Sequence, residues 1–406
     1  MHIRFVAALA LTIVVAACGN DNHGTNAPTA PTAPTFATVA VAANPNNVLS
    51  AIVTANVTSA DSARVSYWTA SEAPRYTPYD TDIGSNGRLV VLGLRPSTPY
   101  EFAIEATNGG GMVTSDTVTL TTGALPTFLA NASLAGGSPT SGGYILTALN
   151  DGSTAYVAAF DSTGHIAWYR AFTDGKPAEE IKQQLNGDIT AVLTTSHGGE
   201  QVDGEAVAIA PDGSIVRTIT APPSSYLDGH EFWETFTDNG EYDGAVFFAY
   251  TARHVDLSAH GGPADSLITG HQVVQQDASG TQHVLFDAWD HFELTDNVEP
   301  TTGQLDFDHP NALSFTSDGN YVVSWRNLDI LTKINSSTGD LMWTLASPFA
   351  ARASDFTITG DPLGGFSAQH SLRVLDNGDL LVFDNGTRHV PSASRAVEYA
   401  LDEGAH

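Results

Sequence analysis

Between residues 143 and 402 one kind of phrase keeps returning, and it limits the fold more than anything else in the chain. An Asn/Asp-Gly turn runs straight into an apolar strand at Asn186-Gly187-Asp188-Ile189-Thr190-Ala191-Val192-Leu193, at Asp318-Gly319-Asn320-Tyr321-Val322-Val323-Ser324-Trp325 and at Asn377-Gly378-Asp379-Leu380-Leu381-Val382-Phe383. A second phrase, an apolar pair, a D/N-x-x-G turn and a strand ending in Trp, spans Ala159 to Trp168 and Lys333 to Trp343, with a weaker copy at Ile209 to Ile215. Such dipeptides between apolar runs are hairpin signals. Hairpins in series, recurring at intervals of about 40–60 residues, predict the blades of a β-propeller. About six blades fit over 126–406, the stretch from Gly229 to Thr302 reads as irregular with long connecting loops, and Ala178 to Leu185 is the one plausible short helix.

Composition narrows the function. The chain has 406 residues and carries 16 Lys plus Arg against 45 Asp plus Glu, a formal charge of −29. A surface this acidic excludes nucleic acid, which needs a positive stripe to displace counterions. With Lys only at Lys176, Lys182 and Lys333, it does not suit anionic headgroups either. The single cysteine, Cys18, excludes disulfides, zinc–thiolate sites and a cysteine nucleophile in the folded part.

The start of the chain accounts for that cysteine. A short basic start and the apolar run Phe5 to Val15 have the size of a signal-peptide core, too short to span a bilayer. They close on Val15-Ala16-Ala17-Cys18-Gly19, which resembles the bacterial lipobox, so residues 1–18 are expected to be a lipoprotein leader with Cys18 lipidated. Residues 19–35, with Pro28, Pro31 and Pro34, read as an extended tether reaching roughly 50 Å at about 3.1 Å per residue. Asn20 stands where Asp would favour inner-membrane retention, so the expected address is the cell envelope, at the outer membrane.

Residues 36–125 alternate with the period of short strands and predict a β-sandwich. Tyr100, Phe102 and Ile104 share one face after Leu94-Arg95-Pro96, the setting of a tyrosine corner. This L-x-P-x-T-x-Y segment resembles a fibronectin type III domain, with Trp68 as the expected core aromatic. No histidine falls between His23 and His165, and the segment carries no chemistry of its own.

Twelve of the fourteen histidines lie from His165 onward. His309, in Asp306-Phe307-Asp308-His309-Pro310-Asn311, and His370, in Ser367-Ala368-Gln369-His370, each stand just before a Gly-turn strand, and His230 opens a third strand in a similar way. Equivalent points in successive blades converge on the channel, which makes that mouth the expected site. The other histidines, His165, His197, His254, His260, His271, His283, His389 and His406, read as surface or cap residues. Trp289-Asp290-His291-Phe292, Asp296 and Glu299 could also be joined with Asp306, Asp308 and His309 into a metal cluster, and a structural calcium would suit the acidic loops. Without a compact ligand spacing, metal catalysis is not the expectation.

His309-Pro310-Asn311 followed by Ser324-Trp325-Arg326-Asn327, and Gln369-His370 followed by Phe383-Asp384-Asn385-Gly386, together resemble the bacterial arylsulfotransferases. The resemblance is strongest from Asp306 to Leu401 and implies a six-bladed propeller. It also implies a sulfuryl group moved between phenols without a nucleotide donor or other cofactor. His370 would become a sulfohistidine, while His309, Asn311, Arg326 and His230 would surround the sulfuryl oxygens and handle the phenolic proton. The chemistry is consistent: imidazole can split the transfer into two steps, and Arg offers an anion a rigid fork. The chain departs from that family in its Cys18 leader and its fibronectin-like segment. The competing expectation is a non-catalytic surface lipoprotein whose propeller binds a glycan or a protein.

Overall fold

A computed structural model describes residues 31–83, 87–134, 143–194, 204–298 and 305–404. The leader with Cys18, most of the tether, His197, Glu299 and His406 lie outside the described residues. Those described are almost entirely strand and turn, an all-β chain. No helix among them is long and apolar enough to cross a membrane.

Seven hairpins are closed by one turn, used over and over. Gly164, Gly187, Gly213, Gly240, Gly280, Gly319 and Gly378 all have φ between 80° and 90°. In each turn the glycine N–H donates to the carbonyl three residues back, and that residue's own N–H donates to the residue after the glycine. Only glycine takes this φ without cost, and the resulting bulge matches the right-handed twist of the flanking strands. The first phrase and two copies of the second, at Gly164 and Gly213, are therefore one structural device, while Gly339 closes a turn one residue longer, donating to the Asn335 carbonyl four residues back.

These hairpins build five antiparallel sheets in chain order. Sheet I comprises Ile145–Asn150, Ala155–Phe160 and Ile166–Phe172; sheet II comprises Ala178–Gln183, Ile189–Leu193, Glu205–Ile209 and Ile215–Thr220. Sheet III comprises Tyr226–Phe236, Tyr242–Val255, Ser266–Asp277 and Gln282–Asp287, with Leu305–Asp306 added parallel to Ser266–Asp277. Sheet IV comprises Pro310–Phe315, Tyr321–Trp325, Ile330–Ile334 and Leu341–Ala346, and sheet V comprises His370–Val374, Leu380–Asp384 and Arg395–Tyr399. The first strand of each sheet lies against the first strand of the sheet before it, so five opening strands stand side by side. Apolar clusters fill the space between sheets; Phe286, Phe307, Trp325 and Ile334, for example, join III to IV.

Three expectations change. From residue 143 onward five sheets are present among the described residues, where about six blades were expected. Ala178–Gln183 is a strand, not a helix: pairing with Ile189–Leu193 overrides the helical propensity of Ala-Glu-Glu-Ile-Lys-Gln. The stretch after Gly229, expected to be irregular, holds the longest strands among the described residues, 11, 14 and 12 residues. Their hairpin turn is Asp238-Asn239-Gly240, of the same Asn-Gly kind.

Before these sheets come two more, Thr35–Ala43 with Ala51–Thr58 and Gly87–Val91, and Arg75–Tyr76 with Ser62–Trp68, Pro99–Asn108, Gly111–Thr114 and Val118–Thr121. They enclose one core containing Val53, Val65, Leu89, Tyr100, Phe102 and Ile104. The Arg95 N–H donates to the Tyr100 hydroxyl at 3.1 Å, which closes the tyrosine corner. Trp68 is not the core aromatic: the core-facing side of its strand carries Ala63, Val65 and Tyr67, and Trp68 falls on the other side, half-buried. This unit is tied to sheets I and II, where Arg170 donates to Asn46 Oδ1 at 2.8 Å and Arg88 pairs with Asp212 at 2.6 Å.

Candidate active site

Three histidine rings stand in a row where sheets III, IV and V open. The centroids of His230 and His309 are 4.8 Å apart, and those of His309 and His370 are 5.9 Å apart. His230 lies in a bulge of the first strand of sheet III, where register is lost between Leu227 and Phe232. His309 immediately precedes the first strand of sheet IV, and His370 begins that of sheet V. The backbone here is unusual. His309, Asp329, Ala368 and Ser371 take φ of 48°, 52°, 48° and 52°, although none is glycine. Such conformations persist only where surroundings over-determine them, and they gather at functional sites.

The surroundings of His370 are buried and polar. Asp384 accepts the Ser367 and Gly386 N–H groups, while Asp329 accepts the Ala368 N–H at 2.6 Å. The Gln369 amide donates to the Trp325 and Ile330 carbonyls. Asn311 Nδ2 donates to the Gln369 carbonyl at 2.7 Å, so Asn311 holds the backbone next to His370. His370 Nδ1 lies 3.1 Å from the Ala368 carbonyl and 2.9 Å from the Asn385 amide. The carbonyl can only accept and the amide nitrogen can only donate, so Nδ1 is engaged in either tautomer. Burial, reinforced by the positive charges of His309, Arg326 and His230, lowers His370 to about 4. It is a neutral imidazole at ordinary pH.

The other two histidines are held differently. His230 Nδ1 faces Asp228 Oδ1 at 2.9 Å, and the charge of Asp228 raises its pKa despite burial. His309 Nδ1 is hydrogen-bonded to Asp306, and its N–H donates to Asp308 Oδ1 at 2.9 Å. Arg326 opens a short 3-10 turn after Trp325, its N–H bonded to the His309 carbonyl and its guanidinium to Asn327. Next to the histidine row a charged layer links the sheets. Glu231 is paired with Lys182 from sheet II, accepts the Leu313 N–H of sheet IV at 2.9 Å, and lies 3.6 Å from Arg373 of sheet V. Burial lowers Lys182 to about 8.

The residues of the alternative metal reading are, among those described, spread over separate contacts. His291 stacks on Phe286 at 4.1 Å, and Asp296 is paired with Arg352. Among the described residues, the group whose ligand atoms come within 4.8 Å of one another is His271, Asp306 and Asp308. There His271 Nδ1 and Asp308 Oδ1 are 2.6 Å apart, a hydrogen-bond length, whereas two ligands of one small cation stand about 3 Å apart. The group is a shared-proton cluster.

Sequence reading missed Asp228, His271, Asp329 and Asn385, and it placed His271 and His389 on the surface. Both are buried, His389 against Asp384 at 2.8 Å. For His271 the signal was a histidine in the middle of an apolar, β-patterned run, where an unpaired polar ring would be costly.

A model of the family described as Arylsulfotransferase (ASST) matches residues 129–406. No curated protein matches the chain. Several solved structures are similar at low identity. One is a catalytically inactive virginiamycin B lyase from Staphylococcus aureus with quinupristin (12% identity, 88% of this chain and 90% of that one, TM-score 0.33). Another is the PQQ-bound aldose sugar dehydrogenase from Streptomyces coelicolor (12%, 75% and 91%, 0.29). A third is a protein of unknown function from Bacteroides caccae (14%, 64% and 90%, 0.30). Since the family match spans well over half of the chain and includes all three rings of the histidine row, the chain belongs to the arylsulfotransferase family, and it is a transferase.

Proposed function

We propose that this transferase moves a sulfuryl group from a phenolic sulfate ester to a phenol through a sulfohistidine on His370. One observation carries the reading: a half-buried, neutral imidazole, whose Nδ1–H tautomer donates to the Ala368 carbonyl and leaves the Nε2 lone pair open, stands at the end of a row of two carboxylate-held histidines. The His370 Nε2 lone pair attacks sulfur, and the bond from sulfur to the aryl oxygen breaks. The departing phenolate, whose acid has a pKa of about 10, takes the proton of His309 or His230. The second half runs in reverse, with the same ring accepting the proton of the incoming phenol. Arg326, whose charge already acts on His370, balances the sulfuryl oxygens. We read the fold beneath the site as a propeller whose described blades are sheets I to V. The sandwich before it we read as a fibronectin type III-like unit, on the strength of its tyrosine corner.

The test is a single-turnover burst. Mixing the protein with p-nitrophenyl sulfate should release one equivalent of phenol, and mass spectrometry should find one SO3 on His370. The burst rate should fall on both sides of neutrality. Below about pH 4 His370 becomes protonated and loses its lone pair. At alkaline pH the acid is lost, later than for a free histidine, because Asp228 raises His230. A burst with the sulfuryl group on another residue would sink the assignment.

A further inference from the structure

We propose that His271 is a positioning residue for this reaction: a buried imidazolium that ties together the carboxylates holding His230 and the segment of His309, and so sets how firmly His230 holds its proton. The proposal rests on the function proposed above.

His271 sits inside sheet III on the strand Ser266–Asp277, with its side chain 6% exposed. A carboxylate faces each ring nitrogen. Nδ1 lies 2.6 Å from Asp308 Oδ1 and 3.8 Å from Asp306 Oδ1, and Nε2 lies 3.5 Å from Asp228 Oδ2. The backbone N–H donates to the second oxygen of Asp308 at 3.0 Å. A neutral imidazole has one N–H, and would turn a lone pair toward one of these anions. Only the doubly protonated ring satisfies both sides. The pKa of His271 is accordingly raised well above the ordinary value, the carboxylates, Asp308 foremost, outweighing a large burial cost.

Both carboxylates are shared with the catalytic row. Asp228 gives its other oxygen to His230 Nδ1, and Asp308 Oδ1 also accepts the His309 N–H. The titratable groups facing His271 are Asp228, His230 and Tyr250 from sheet III, and Asp306 and Asp308 from the segment that ends in His309. Burial first, and then the charge of Asp228, raises Tyr250 to about 12, so it stays neutral. Three carboxylates thus meet one fixed positive charge beside two histidines, one of which must lose and regain a proton each cycle. The positive charge of His271 already lowers the proton affinity of His230. Without it His230 would hold its proton more tightly, and the half-reaction that needs a base would suffer.

The experiment compares wild type with His271→Gln in the two halves separately. Phenol release from p-nitrophenyl sulfate, which uses the protonated acid, should stay within a few-fold. Transfer from the sulfated enzyme to an added phenol should slow about ten-fold at pH 7, with its pH midpoint about one unit more alkaline. A packing role alone would slow both halves alike and leave the midpoint in place, which would overturn the proposal. If the variant does not fold, nitrogen-15 NMR of the wild-type ring decides: both His271 nitrogens protonated at pH 8 supports the bridge, and one unprotonated nitrogen refutes it. A wild type that forms no sulfated enzyme would refute the function proposed above instead, and the ring spectrum would still report on the bridge.

Discussion

His370→Ala should lower aryl-sulfate transfer by at least about 10⁴-fold while the protein stays folded, measured as phenol release from p-nitrophenyl sulfate and as sulfated acceptor formed. The size follows from the absence of a substitute within the row. His230 is held toward its charged form by Asp228, and a protonated ring has no lone pair to offer sulfur. The Nδ1 of His309 is committed to Asp306, so that ring cannot swing into the vacated position without breaking this contact. Direct attack by water remains open to the variant and sets its residual rate. His370 is part-exposed, and the network below it runs through Ser367, Ala368 and Gln369 main-chain groups that alanine retains. A variant within ten-fold of wild type would exclude His370 as the nucleophile and would leave His309 as the next residue to test.

The parts of this architecture that could be read from the chain are those with local causes. The Gly turns announce themselves because a positive φ demands glycine at a fixed offset from the strands, and Gly187, Gly319 and Gly378 occupy the same place in three sheets. His309 and His370 stood out for the same reason, since each precedes such a strand. What escaped was set by partners distant in sequence. The Ala178–Gln183 strand is a strand because sheet II pairs it, and nothing local says so. His271 meets Asp308 across 37 positions and Asp329 meets Arg388 across 59, so neither pair leaves a short motif. Trp68 failed for a narrower reason: a one-residue shift in the strand moves a side chain to the opposite face, and Tyr67 holds the inward position.

Asp384→Ala should destabilise the protein by about 3–5 kcal/mol, lowering the melting temperature on the order of 10 °C, because this carboxylate has no solvent exposure and several partners. Its Oδ1 accepts the Ser367 and Gly386 N–H groups at 2.9 and 2.8 Å. Its Oδ2 meets His389 Nε2 at 2.8 Å and Arg395 Nε at 3.0 Å. Alanine would strand the Ser367 amide and the His389 ring nitrogen in the interior, while the Gly386 N–H keeps the Ser367 carbonyl at 3.2 Å, and each buried donor left unpaired costs about 1–3 kcal/mol. Arg395 is partly protected, since Asp361 takes its other two nitrogens at 2.6 and 2.7 Å. Thermal unfolding of the variant gives the number directly. A loss below about 1 kcal/mol would show that the network does not hold this loop. The same substitution should weaken catalysis at temperatures where the fold survives. The Ser367 amide is three residues from His370, and the positive φ of Ala368 between them is kept only by the hydrogen bonds on either side. Asp361→Ala, which leaves Asp384 in place, should cost less in both respects.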